Sequence, residues 1–245
     1  MSDNVKQGKR WYDKKDPVKR SIFERIFYKL VAKVILNKLV KFESNNQISC
    51  YGMENLENVL KQHQDFNFSI VVVANHIHDY DTTLLPAFIH RKGYFSYKIA
   101  KLELFEGFFE KLKMYWVGAR PIDRDAMTRD VWIITRLIEA RQILITFPTG
   151  HRDSENTTPI NVGIFSATRH YKDSTIILPV KITGTHMLKK GGCASFTFKK
   201  PICVSQVLAG KDGISQLMQQ VALEIGVPMP ERKRKSREER ERVEI

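Results

Sequence analysis

Residues 69–86 read SIVVVANHIHDYDTTLLP, an apolar run that passes without a turn signal into two histidines and two aspartates. A short run of β-branched residues with no polar alternation is the pattern of a strand covered on both faces. Residues 68–74 are therefore predicted to be a strand, and a helix is predicted from about Thr82 to His90. The polar cluster falls between them, at the carboxyl end of the strand, where ligands of open α/β sheets bind.

Working outward, strands and helices alternate. Helices are predicted around Phe105 to Met114, Thr128 to Arg141 and Ile214 to Ile225, and strands at Ile143 to Phe147, Thr175 to Ile182 and Ser195 to Phe198. Such alternation predicts a single α/β domain over residues 43–230, with a mixed, largely covered sheet flanked by helices. From Ser21 to Val40 apolar pairs recur at helical spacing, with Arg25, Lys29, Lys33 and Lys38 on the other side. The prediction is a basic amphipathic helix over residues 21–42, either packed on the core or lying in a membrane interface. Residues 1–20 and 231–245 are polar, charged tails by composition.

The chain has 245 residues, 42% of them hydrophobic, and carries a formal net charge of +13. That balance suits anionic partners: phospholipid headgroups, coenzyme phosphates, an acidic carrier protein or nucleic acid. Nucleic acid is not the expected partner, because the basic residues are spread over a helix and a tail with no reading module or stacking platform. Three scattered cysteines, Cys50, Cys193 and Cys203, suit neither a disulfide framework nor a zinc site, so a reduced, cytoplasmic setting is expected. No apolar run approaches the roughly 20 residues that span a bilayer.

In the opening stretch, His76 precedes Asp81 by five residues. On a regular helix that spacing is off-face. With His76 in the turn before the helix, the carboxylate folds back to accept the ring proton and leaves the other nitrogen as a base. Imidazole is suited to taking a proton from a hydroxyl near neutral pH.

Four blocks in order, NHIHDYD at 75–81, GARPIDR at 118–124, FPTGHRD at 147–153 and ILPVKITGT at 177–185, with a late FKKPI at 198–202, give the chain a family likeness. It resembles the glycerolipid acyltransferase family that includes bacterial 1-acylglycerol-3-phosphate acyltransferase, whose hallmark is N-H-x4-D. The resemblance implies the glycerol-3-phosphate acyltransferase-like fold, with His76 as catalytic base and Asp81 as its partner. It implies that Arg124 binds the acceptor phosphate, with Arg120 a second candidate, that Gly150 and Arg152 contact the acceptor, and that Pro179 shapes the site or acyl channel.

Where the family usually reads F-P-E-G-T-R, this chain has Thr149 in place of the glutamate, and His151 and Asp153 in place of small hydroxyl residues. Thr149 thus bears on acceptor choice. The implied activity is transfer of a fatty acyl group from acyl-CoA or acyl-ACP to a lysophospholipid or glycerol-phosphate hydroxyl, with 1-acylglycerol-3-phosphate the leading acceptor. No cofactor and no metal are expected, and the implied location is the cytoplasmic face of an anionic membrane, held peripherally. The alternatives are a non-catalytic lipid-binding relative with a degenerate site and an acyltransferase for a non-standard lipid acceptor.

Overall fold

The computed structural model describes residues 16–123, 127–210 and 212–230. The strand expected at the centre is β2 (Ser69–Ala74), all six residues of which are buried. Its side chains alternate between two cores. Ile70, Val72 and Ala74 belong to one cluster, and Val71 and Val73 to the other. Burial on both faces explains why the sequence shows no polar alternation here.

Around β2 the chain builds a mixed eight-stranded sheet. The other strands are β1 (Ile48–Tyr51), β3 (Tyr97–Lys101), β4 (Ala119–Ile122), β5 (Ile143–Thr146), β6 (Thr175–Thr183), β7 (Ala194–Phe198) and β8 (Ile202–Cys203). The order is β1-β7-β6-β2-β5-β3-β4, with β8 also on β6. β2 runs parallel to both β5 and β6, pairing Val72 with Ile145 and with Leu178. β6 runs antiparallel to β7 and β8, which makes the sheet mixed.

One face is covered by α1 (Ile22–Ser44), α2 (Met53–Phe66) and α3 (Asp81–Arg91), through Leu39, Leu56, Val59, Leu84 and Phe88 among others. The opposite face is covered by α4 (Met127–Glu139), α5 (Gly163–Thr168) and α6 (Gly213–Ile225), through Leu137, Phe165, Leu217 and Val221. The helix expected around 105–114 is present as Phe108–Trp116, starting three residues later, and is preceded by a 3-10 turn, Leu102–Phe105. Gly107, at φ +83°, separates the two. β1, α2, β3 and β4 had no sequence prediction. β1 is only four residues long, and β3 carries Lys98 and Lys101 in a strand of five.

The helix expected at 21–42 is α1. Ser21 caps it by accepting from the Glu24 amide, while the Glu24 carboxylate accepts from the Ser21 amide. Its apolar residues divide between two sides. Tyr28, Ala32 and Leu39 are buried, whereas Ile22, Phe23, Ile26, Leu30 and Val34 are all more than half exposed. At 100° per residue, exposed Arg25, Lys29 and Lys33 form a basic edge beside that apolar one. Phe27 stacks on Trp116 at 3.9 Å between centroids, and Arg91 on α3 grips the Glu43 carboxylate with both terminal nitrogens. α1 is thus seated on the domain along one side and bare along the other. No helix among the described residues is long and apolar enough to cross a membrane.

Candidate active site

Because β2, β5 and β6 are parallel neighbours, their carboxyl ends release three loops along one sheet edge. The loop from β2 is in the middle. The loop from β5 lies on one side and the turn after β6 on the other.

His76 sits in the middle loop, and Asp81 is the first residue of α3. Asp81 folds back so that its Oδ2 accepts from His76 Nδ1 at 2.9 Å and from the amides of Ile77 at 2.6 Å and His78 at 2.8 Å. Its Oδ1 accepts from Thr185 Oγ1 at 2.6 Å. The carboxylate is fully buried, so these four donors and the start of α3 replace its hydration. An ionised carboxylate only accepts, so the proton of the shared bond sits on Nδ1 of the neutral ring. Nε2 then carries the lone pair, and it bonds to no described residue. The His76 side chain is 13% exposed and stacks on Phe147 at 4.5 Å. A histidine held this way can take a proton at Nε2 and stabilise the resulting charge through Asp81.

Asn75, also fully buried, locks the base of this turn. It accepts from the Ile182 amide at 2.7 Å, donates to the Ile182 carbonyl at 2.9 Å and donates to Asn156 Oδ1 at 2.9 Å. The ends of β2 and β6 and the loop from β5 are thereby joined beneath His76. The His76 carbonyl also accepts from the Asp153 amide at 2.7 Å. Gly184, at φ +70°, turns the chain from β6 into Thr185. A Cβ there would lie 2.2 Å from the Cys193 carbonyl oxygen, so only glycine fits.

The third block forms the β5 side. Gly150 turns at φ +79°, its amide donating to the Phe147 carbonyl at 3.0 Å. Thr149 is buried, and its hydroxyl donates to the His151 carbonyl at 3.1 Å. Arg152 is largely exposed and pairs with Asp79 at 2.8 Å, which brings its guanidinium to the same turn as His76. Asp153 organises the rest of the loop. Burial pushes its carboxyl up, but hydrogen bonds from Thr158, Glu155 and Thr157 outweigh this and hold it well below the usual range.

Pro179 is buried in β6 opposite Val73. It sits where β6 changes its antiparallel partner, between Ile177 opposite Ile202 and Val180 opposite Phe198. Its missing N–H falls at a gap in that ladder. Arg124 lies outside the described residues.

Arg120, the second candidate for the acceptor phosphate, lies buried in β4. It is 2% exposed, its Nε donates to the Pro17 carbonyl at 2.6 Å and its Nη1 to the Ala119 carbonyl at 3.0 Å. The rings of Tyr97 and Tyr115 lie 4.9 and 5.0 Å from its guanidinium carbon. A buried cation needs acceptors, and this one finds one in the segment that leads into α1 and one in β4, while its Nη2 makes no hydrogen bond among the described residues and lies 3.8 Å from the Glu24 carboxylate.

Sequence reasoning missed the supports of the dyad, Asn75 and Thr185, although both lie within the quoted blocks. It also missed Lys98 of β3, which is 8% exposed and whose ammonium donates to the Thr82 carbonyl at 3.0 Å, one residue from Asp81. Burial lowers the Lys98 pKa to about 8. Nothing in the local pattern YKIAK separates it from an exposed strand lysine. Among the described residues, no group of three or more His, Cys, Asp or Glu is arranged to hold a metal ion.

A family model described as Acyltransferase matches residues 47–183, a stretch that begins before β1 and ends with β6. No curated protein matches the sequence significantly. Among solved structures, the fold is similar to the crystal structure of the 1-acyl-sn-glycerophosphate (LPA) acyltransferase, PlsC, from Thermotoga maritima. The TM-score is 0.59 and the identity 18%, over 89% of this chain and 86% of that chain. At that identity the likeness is one of fold.

Proposed function

The chain belongs to the acyltransferase family, and from that premise we propose that it moves a fatty acyl group from a thioester donor to the hydroxyl of a lysophospholipid or glycerol-phosphate at a membrane surface. The observation that carries the reading is the His76–Asp81 pair, with Nδ1 held at 2.9 Å and Nε2 without a partner among the described residues.

In this reading Nε2 removes the proton of the acceptor hydroxyl as its oxygen attacks the thioester carbonyl. The tetrahedral intermediate then collapses, the carbon–sulfur bond breaks, and the imidazolium returns its proton to the departing thiolate. No covalent enzyme intermediate is needed. General-base assistance of this kind is typically worth about 10²–10⁴ in rate. Arg152 beside the turn suits an acceptor phosphate, because a planar guanidinium donates two parallel hydrogen bonds to it. We take 1-acylglycerol-3-phosphate as the leading acceptor. The acceptor position is the one most open to variation, since Thr149 offers a hydroxyl where a glutamate would offer a carboxylate.

The bare side of α1, an apolar edge beside a basic one, supports peripheral attachment to an anionic bilayer, the apolar edge entering the acyl boundary and the lysines meeting headgroups. Thiol release tests the whole reading. Wild type and His76→Ala are compared with acyl-CoA or acyl-carrier protein as donor and with lysophospholipids and glycerol-3-phosphate as acceptors. Acceptor-dependent release that disappears in the variant is the expected result. Equal release by both proteins would remove His76 from the chemistry.

A further inference from the structure

The three-loop edge has two sides, and only one of them has so far been given an anion. On the β5 side, Arg152 is already partnered by Asp79. On the β6 side, Tyr80 occupies the position immediately before Asp81 and is half-buried. Two ammonium groups from separate elements converge on its ring. Lys38 Nζ, from α1, lies 4.2 Å from the centroid, and Lys189 Nζ, from the 3-10 turn Thr185–Lys190, lies 5.9 Å from it. That turn begins with the threonine that grips Asp81. His78 and Phe42 flank the same ring at 5.0 and 5.7 Å.

Cation–π attraction holds each ammonium near the ring without using up its N–H donors. Among the described residues, neither lysine has a carboxylate partner. Two like charges gathered around one ring repel each other, and an anion between them relieves that repulsion. The acyl-transfer reading needs two substrates at the dyad, and a pantetheine thioester carries its phosphate at the far end of a long flexible arm. A phosphate held at the rim beside Tyr80 would leave the arm free to reach inward to His76.

We propose that Lys38 and Lys189, gathered on Tyr80, form an anionic subsite for the phosphate of a pantetheine thioester donor, separate from the Arg152 side; this rests on the acyl-transfer reading above. The shared chemistry is the phosphopantetheine ester, which both coenzyme A and a carrier protein present.

The test uses the full chain and the variants Lys38→Gln, Lys189→Gln and the double variant. Three donors are compared: acyl-CoA, acyl-carrier protein, and acyl-N-acetylcysteamine, which has no phosphate. Loss of charge-assisted contacts to one phosphate predicts a roughly tenfold rise in KM for a phosphate-bearing donor in the double variant. KM for acyl-N-acetylcysteamine and for the acceptor should stay as in wild type. A rise confined to acyl-CoA, or to the carrier, assigns the subsite to that source. Unchanged KM for all three donors, a matching rise with the truncated donor, or a rise in the acceptor KM instead would each overturn the proposal. Calorimetric titration with coenzyme A and with holo-carrier protein separates the two claims. If wild type transfers nothing yet binds one of these and the double variant does not, the subsite stands and the acyl-transfer reading falls. If wild type binds neither, the subsite falls.

Discussion

Thr185 Oγ1 donates to Asp81 Oδ1 at 2.6 Å, and both residues are fully buried. The catalytic turn at the end of β2 is thus tied to the turn after β6. Thr185→Val keeps the shape and removes the donor, leaving one oxygen of a buried carboxylate unpaired. That costs about 1–3 kcal/mol, part in stability and part in the orientation of His76. The expected outcome is a kcat about tenfold lower with a depressed Tm, and recovery of both in Thr185→Ser. A Thr185→Val enzyme with wild-type kcat would show that the three remaining donors are enough to orient Asp81.

Two sides of one helix make opposite predictions. Ile26, Leu30 and Val34 are exposed on α1, while Leu39 is fully buried in the core. Changing the three exposed residues to serine is expected to weaken co-sedimentation with anionic vesicles and leave the urea midpoint near wild type. Leu39→Ala is expected to lower unfolding free energy by about 2–5 kcal/mol. Unaltered vesicle binding by the triple variant would separate α1 from any membrane role.

How much of this was legible in sequence depended on which contacts were local. β2 and α3 were readable because an apolar run and the residues after it report on their own burial. The fold-back of Asp81 was readable because it spans five positions. The supports were not: Thr185 reaches Asp81 across 104 positions, and Asn75 reaches Ile182 across 107. α1 was read as having one apolar face, because periodicity records which residues are apolar but not which of them find a partner. The apolar pairs along it include one set buried by α3 and another left bare. Lys98 was invisible for a related reason, since a lysine in a five-residue strand is ordinarily at the surface.

Lys98 also gives a pH signature. Its pKa falls from 10.5 to about 8 on burial. Below pH 8 the group is charged in both states, and its burial costs about 3 kcal/mol. Between about pH 8 and 10.5 the unfolded chain binds more protons than the folded one, so stability rises with pH as this cost is relieved. Urea unfolding across that window should show the rise in wild type and lose this component in Lys98→Met. Parallel curves for the two proteins would mean that the folded amine stays charged and hydrated and titrates where the unfolded one does.

Arg120 separates a binding role from a structural one. In a binding role, Arg120→Met would raise the acceptor KM and leave folding alone. The geometry argues for the reverse. The side chain donates to the Pro17 carbonyl at 2.6 Å, its Nη2 lies 3.8 Å from the Glu24 carboxylate, and Tyr97 donates its hydroxyl to the Val18 carbonyl at 2.7 Å beside it. These contacts fasten the segment entering α1 to β3 and β4. Losing the charge-assisted bond to Pro17 alone should cost about 1.5–3 kcal/mol. Arg120→Met is therefore expected to lower Tm while, at a temperature where it is still folded, its acceptor KM stays at the wild-type value. Arg152→Met is expected to do the opposite, because its exposed pair with Asp79 contributes little to stability. A selective acceptor defect in Arg120→Met with unchanged Tm would return Arg120 to the site.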